Sequence, residues 1–561
     1  MKVSIPTLAK WSWFGVIVLV GFGYMASGLS QPQEKKRRQK AETELVSLNT
    51  RNLIPTLQEH IDAVNQAREL QLAELGLRSA PAADWLTICR RMSLALVGSG
   101  MSLEEIRALE QHPPEMRESV HLQNLLDDSR FHDYWAERWT RYMVGGDGGP
   151  LLVYRRRRFV VWLSDMIAAN QPYDQTVQNL ITAEGLFTDQ PQVNFLTVTL
   201  DSDESGNPDP IRLAARTSRA FLGMRIDCLQ CHNDFLGNVN LGEPINPREG
   251  LQSDFHGLAA FYSSAKMNGL QGVRTGDADY EYQYLDATEV EAVAPAVPFQ
   301  PELLPADGDV RTRLAKWVTH PLNHQFSRAA VSRFWTLMFG EAATEAVDDI
   351  PLDEELPMML RPIVDDFRQH RDIRRVIEII VRSDAFRVDS RADFDVTPEH
   401  EDVFAVFPLM RLRAEQVAGS IVQSSRVKSV TRDSAFLIQL MKFGSVNDFL
   451  QRYGDLGENE LAADNDGGVT IPQRLLMLNG EMLGESSEPN PLLNASAHIN
   501  MFSGSDSQAV DVMFLCLLNR YPDEEESAYF VGRLAEAGNR EEMMVDFFWT
   551  LANTTEFAWN H

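Results

Sequence analysis

Cysteine is scarce: Cys89, Cys228, Cys231 and Cys516 are the four in 561 residues. So small a number excludes a disulfide-stapled scaffold. Basic charge is also short, with 52 Lys and Arg against 80 Asp and Glu and a formal net charge of −28. That balance repels phosphate backbones and argues against nucleic acid as a partner. Strand-type alternation is rare, and no internal repeat at a fixed period is visible. Neither a Gly-Lys-Ser/Thr phosphate loop nor a Gly-x-Ser-x-Gly elbow occurs. With 80 acidic residues, pairs of carboxylates are too common to mark a site.

What remains is the composition of a folded protein, 44% hydrophobic and 24% charged, too long for one ordinary core. Helical periodicity recurs over Phe131–Val144, Phe159–Asn170, Ile211–Gly223, Arg311–Phe339, Met359–Phe386, Ala414–Ser424, Gln473–Leu483, Val510–Leu518, Glu524–Ala537 and Glu541–Phe557. Ser102 followed by Glu105 predicts a capping box for a helix that stops at Pro113-Pro114. The expected fold is therefore mainly α: an N-terminal membrane helix and two helical domains with few short strands. Residues 1–30 read as a signal anchor or signal peptide and 31–78 as a juxtamembrane helix. A first domain covers 79–267, a linker with one short strand pair 268–305, and a C-terminal helical domain 306–561.

Trp11 to Leu29 is an apolar run near the length that spans a bilayer, with Trp11, Trp13 and Tyr24 suited to its interfaces. An uncleaved anchor is the preferred reading; Ala26-Ser27-Gly28 supplies a rival cleavage site. Lys35, Lys36, Arg37, Arg38 and Lys40 follow the run and by the positive-inside rule would hold the body in the cytoplasm.

Cys89 and Cys516 lie in apolar stretches and read as buried hydrophobes. Cys228-Leu229-Gln230-Cys231-His232 is different. Thiols three positions apart on a helical turn share a face and reach the two vinyl groups of one porphyrin, with His232 beneath as the iron ligand. Haem c held by Cys228, Cys231 and His232 is the first reading. A zinc or iron ion on the same residues, with Asp234 or His256 as fourth ligand, is the second. A Cys228–Cys231 disulfide or a free thiol pair closing a turn is the third. A thioredoxin-like site lacks its βαβ surroundings. Under the haem reading Met267 and His256 are the nearest downstream candidates for the sixth iron position. Haem attachment takes place outside the bacterial cytoplasm, so this chemistry sets a periplasmic body on an inner-membrane anchor, against the flanking charge.

The surroundings of the motif resemble a known family. Phe221-Leu222-Gly223 before it and Asp254-Phe255-His256-Gly257-Leu258-Ala259-Ala260-Phe261-Tyr262 after it resemble a planctomycete cytochrome-like domain of unknown function. Arg90-Arg91-Met92-Ser93-Leu94, Trp135-Ala136-Glu137-Arg138-Trp139 and Pro172-Tyr173-Asp174-Gln175 resemble further segments of it. Leu314-Ala315-Lys316-Trp317-Val318, Arg328 to Trp335 and Ile471 to Asn479 resemble the C-terminal domain that usually follows. Together these cover roughly residues 84–560. The family commonly places His-Asp-His after the second cysteine, whereas His232 is followed by Asn233-Asp234-Phe235 and an inserted 236–248 stretch. The resemblance implies a cytochrome-like architecture and leaves the activity open.

Weaker signals are Asp201–Gly206 and Asp464–Gly468, which start like calcium loops but read as acidic turns; Arg212 stands where the first would need its bidentate Glu. Arg155 to Arg158 is a basic run suited to a propionate, sulfate or carboxylate, or to a solvated face. The leading expectation is a membrane-anchored monohaem electron carrier with an unidentified redox partner protein. The alternatives are an envelope enzyme acting on an exported substrate such as polysaccharide, with the motif as a structural site, and a non-catalytic interaction protein.

Overall fold

Local capping explains where most helices begin. In the computed structural model the Asp84 carboxylate accepts from the amides of Leu86 and Thr87 and starts Trp85–Val97, which Gly98 ends at φ 70°. The Ser102/Glu105 capping box forms and starts Leu103–Glu110. Boxes at Thr470/Gln473 and Asp523/Glu526 start Ile471–Asn479 and Glu524–Glu536. The structure describes residues 57–561 except 146–149, 151–152, 201–205, 236, 238, 243–245, 247, 345, 433, 435–445, 447–448, 451, 454–469 and 491–493. The Trp11–Leu29 run and most of both acidic turns lie outside the described residues. Among the described residues no helix is long and apolar enough to cross a membrane.

The described chain is mainly helical, with six short strands. Two long periodic stretches are interrupted. Arg311–Phe339 forms Val310–Val318 and His324–Phe339, parted by a turn at Pro321, which lacks the amide a continuing helix needs. Met359–Phe386 breaks at Arg371, φ 54°, after which Asp372 caps Ile373–Arg382. Segment 268–305 holds more order than a linker with one strand pair. It contains β2 (Val273–Thr275), which pairs antiparallel with β1 (Ala265–Met267), and the pair β3 (Glu281–Tyr282) and β4 (Glu291–Ala292). It also docks on the Gln252–Tyr262 helix, the Ala296 amide donating to the Gly257 carbonyl at 3.0 Å. The remaining pair, β5 (Met410–Arg411) with β6 (Trp559–Asn560), ties the chain's last residues to its middle.

An aromatic core joins the sequence before 268–305 to the sequence after it. The Phe334 ring lies 5.7 Å from Trp135, 6.0 Å from Trp139, 5.7 Å from Tyr173 and 5.9 Å from Phe367. Burial of each such side chain contributes ~1.5–3 kcal/mol, and these contacts bridge both sides of the segment. Residues His60–His561 accordingly form one compact unit. A second apolar cluster gathers Val417 and Ile421 with Met513, Phe514, Phe547 and Phe548.

Buried arginines reinforce the join through backbone carbonyls. Arg91, fully buried, donates to the carbonyls of Phe386 (2.8 Å), Val388 (2.7 Å) and His561 (2.8 Å) and sits 3.7 Å over the Phe407 ring. Its neighbour Arg90 donates to the carbonyls of Leu517, Glu556, Phe557 and Trp559. In the other direction, Arg311 donates to the carbonyls of Ile181 and Ala183, and Arg333 to those of Ala220 and Arg219. Desolvation pulls Arg91 down to about 9 and Arg90 to about 10, so both still carry charge at neutral pH.

Replacing Arg91 by Ala strands three carbonyls and should cost ~3 kcal/mol or more, read as a lower urea midpoint at an unchanged slope. A second expectation concerns pH. Burial lowers His121 to about 4, and it also lowers His132, His256 and His324. The unfolded chain therefore takes up protons first as pH falls below about 6.5, and stability present above that value declines toward pH 4. Urea midpoints that stay level between pH 7 and 4.5 would contradict this.

Candidate functional site

The approach to Cys228 is rigid. Asp209 caps the Pro210–Leu222 helix through the amides of Ile211 and Arg212, with Pro210 at its first position. The helix ends on Gly223 at φ 59°, and the Met224 amide reaches back to the Ser218 carbonyl at 3.0 Å. A Cβ at Gly223 would stand 3.0 Å from Ala329 Cβ and 3.2 Å from the Val347 carbonyl, so both conformation and space require glycine. Arg333 donates to the carbonyls of Ala220 and Arg219 at this helix end, and the Ile350 amide donates to the Gly223 carbonyl at 2.7 Å. Arg219 then makes a two-pronged pair with Asp227, which opens the next turn.

That turn is a 3-10 helix over Asp227–Gln230. Leu229 is fully buried, and the loop at Gly250 presses on it so closely that a Cβ there would lie 2.7 Å from Leu229 Cδ1. Cys228 and Cys231, three positions apart, are both exposed and carry free thiols. Residues i and i+3 eclipse on such a turn, so an inward Leu229 sends both sulfurs outward. Burial raises the Cys228 thiol above its ordinary value, and the carboxylates of Asp227 and Asp234 add to the rise. That shift is opposite in direction to the one that activates a cysteine nucleophile.

His232 is also exposed. Its Nδ1 lies 2.7 Å from the Asn233 carbonyl oxygen, which can only accept, so Nδ1 carries the proton and Nε2 of the neutral ring keeps a lone pair. The ring stacks on exposed Phe235, centroids 5.9 Å apart. This is the tautomer and carbonyl support found behind metal-bound imidazoles.

Beneath the turn a network converges on one atom. The Gln230 carbonyl accepts from Gln252 Nε2 (3.1 Å), His256 Nε2 (3.0 Å) and the Tyr282 hydroxyl (3.0 Å). With Nε2 as donor, His256 Nδ1 accepts from the Tyr280 hydroxyl at 2.8 Å, and the imidazole stacks 3.5 Å from the Tyr282 ring. His256 is fully buried with both nitrogens engaged, so it supports the turn and offers no ligand atom. Asp234 is likewise committed, its Oδ2 accepting from the Val239 amide at 2.6 Å. Met267 lies in β1, paired with Val273. Among the described residues no three His, Cys, Asp or Glu side chains gather as a metal ion would need.

Residues 61–266 match the PSCyt2 model, described as a protein of unknown function (DUF1549), and residues 310–533 match PSD1, described as a protein of unknown function (DUF1553). The chain carries these two domains in that order, PSCyt2 then PSD1. No curated protein and no solved structure matches it. The PSCyt2 part carries the Cys228–His232 turn, and the PSD1 part supplies Arg333 and Ile350, which hold the helix leading into it. The unmatched stretch between them supplies Tyr280 and Tyr282.

Sequence reading placed Cys228, Cys231 and His232 together, and the structure keeps them on one outward turn. It missed Gln252, Tyr280 and Tyr282. The alternation Tyr280-Glu281-Tyr282-Gln283-Tyr284 was the available signal, since a period of two sets three aromatic rings on one face of an extended segment.

Native alkylation at pH 8 is expected to modify Cys228 and Cys231 only, with Cys89 and Cys516 reacting after denaturation. Mass spectrometry of the digested protein reads this directly; labelling of Cys89 in the native state would contradict it.

Proposed function

We propose that the chain is a membrane-anchored monohaem c-type protein of the bacterial cell envelope, serving electron transfer. Haem c would be held by thioether bonds from Cys228 and Cys231, with His232 as its iron ligand. The reading rests on one observation above all: Cys228 in the 3-10 turn and Cys231 and His232 just past its end are all exposed, with His232 Nδ1 held at the Asn233 carbonyl. Bound haem supplies a one-electron iron centre. The residues of this chain do the rest: Leu229 anchors the turn, Asn233 orients the imidazole, and Gln252, His256 and Tyr282 fix the backbone between the sulfurs.

A directly chelated zinc or iron ion is the less favoured alternative, because Asp234 and His256 are engaged elsewhere. Thiol–disulfide catalysis is disfavoured because helices, not a βαβ unit, flank the turn. The membrane anchor rests on Trp11–Leu29, and the periplasmic body on the site of haem attachment. The redox partner is a protein that approaches the exposed turn.

Expression of the full chain with haem-maturation machinery is expected to give a red protein with a Soret band. Cys228→Ala with Cys231→Ala should abolish covalent haem, and His232→Ala should keep the haem while shifting its spectrum. A colourless wild-type protein that carries stoichiometric zinc would reject the proposal.

A further inference from the structure

The Arg155–Arg158 run is a second feature, and it is independent of the haem reading. The Arg156–Ala168 helix begins without a side-chain cap and without an acidic residue in its first turn. Its N-terminus borders a cavity of about 680 Å³, within the size range of small-ligand sites. Successive turns of the helix present three chemistries to that cavity: Arg157 and Arg158, then Val161 and Trp162, then Asp165. No residue of the Cys228–His232 turn lines it.

Neighbouring charges are unevenly satisfied. Arg156 pairs with Glu137 at 2.6 Å, and Arg158 donates to the Thr188 carbonyl at 2.8 Å. Arg155 lies over the Phe187 ring. Arg157 is exposed and meets no carboxylate among the described residues. In a chain of net charge −28, guanidiniums beside an uncapped helix N-terminus make a local attractor for oxyanions. The apolar middle asks for more than a bare anion. Val161 is 47% exposed and Trp162 half-buried, with Phe159 stacked beside the indole at 6.1 Å. Asp165, exposed at the far end, accepts hydrogen bonds from hydroxyls and repels anions. Eight residues from Arg157 to Asp165 span ~12 Å along a helix axis, roughly the length of two linked sugar rings.

We propose that this cavity binds a carbohydrate carrying sulfate or carboxylate groups. The acidic substituent sits at Arg157 and Arg158, a sugar ring packs on Trp162, and hydroxyls reach Asp165. The polarity along the helix selects anionic over neutral sugar, and the indole selects sugar over free anion.

Calorimetric titration of the full-length protein at low salt tests this with dextran sulfate, polygalacturonate, neutral dextran and inorganic sulfate. At least one anionic polymer should bind, weakening as salt rises, while dextran does not. Arg157→Glu and Trp162→Ala should each reduce that affinity at least tenfold with unchanged circular dichroism and melting temperature. The proposal is overturned by absence of binding to both anionic polymers, by binding that both variants retain, or by inorganic sulfate binding as tightly as the polymers.

Discussion

A guanidinium removed from water must keep its charge company, and here the company is backbone. Arg90 and Arg91 reach from the PSCyt2 part to carbonyls of Leu517, Phe386, Val388 and the last residues of the chain. Arg311 and Arg333 reach back from the PSD1 part. A carbonyl held this way has a fixed position and direction, which a purely apolar contact does not specify. Because each arginine spans more than a hundred residues of sequence, the two matched regions fold as one body around Phe334 and its aromatic neighbours.

The Cys228–His232 turn inherits its rigidity from that arrangement. Arg333 grips the end of the helix before it, Gly223 makes the reversal that no other residue fits, and Arg219 with Asp227 closes the first step of the turn. Leu229 faces inward, so the cysteines face out. Tyr282, Gln252 and His256 then converge on the carbonyl between them. A surface turn braced from two sides loses little freedom when a group is attached, which is the value of preorganisation at any site.

The candidate site residues were legible because their signal is local: two cysteines and a histidine at fixed spacing. Helices were legible for the same reason, since the two partners of the Ser102/Glu105 box, and the repeating positions within Ala414–Ser424, are only a few residues apart in sequence. Breaks inside long periodic stretches were harder. Arg371 adopts φ 54° where its own residue type argues for nothing unusual, and only the Asp372 cap beyond it marks the new start. Segment 268–305 was obscured because its order is tertiary: β3 and β4 are two residues each, and the segment is held by His256 and Gly257 of a helix rather than by a pattern of its own. The reach of Arg91 across 470 residues to His561 has no sequence signature at all. His256, a motif-adjacent histidine weighed as a candidate ligand, serves as a brace.

Intact-mass and peptide mass spectrometry of the full chain, made in a host that matures c-type cytochromes, tests the central claim most directly. The account predicts a chain heavier by one haem, with the addition on the peptide that contains Cys228 and Cys231. Recovery of that peptide with two unmodified thiols, or with a disulfide between them, would contradict it.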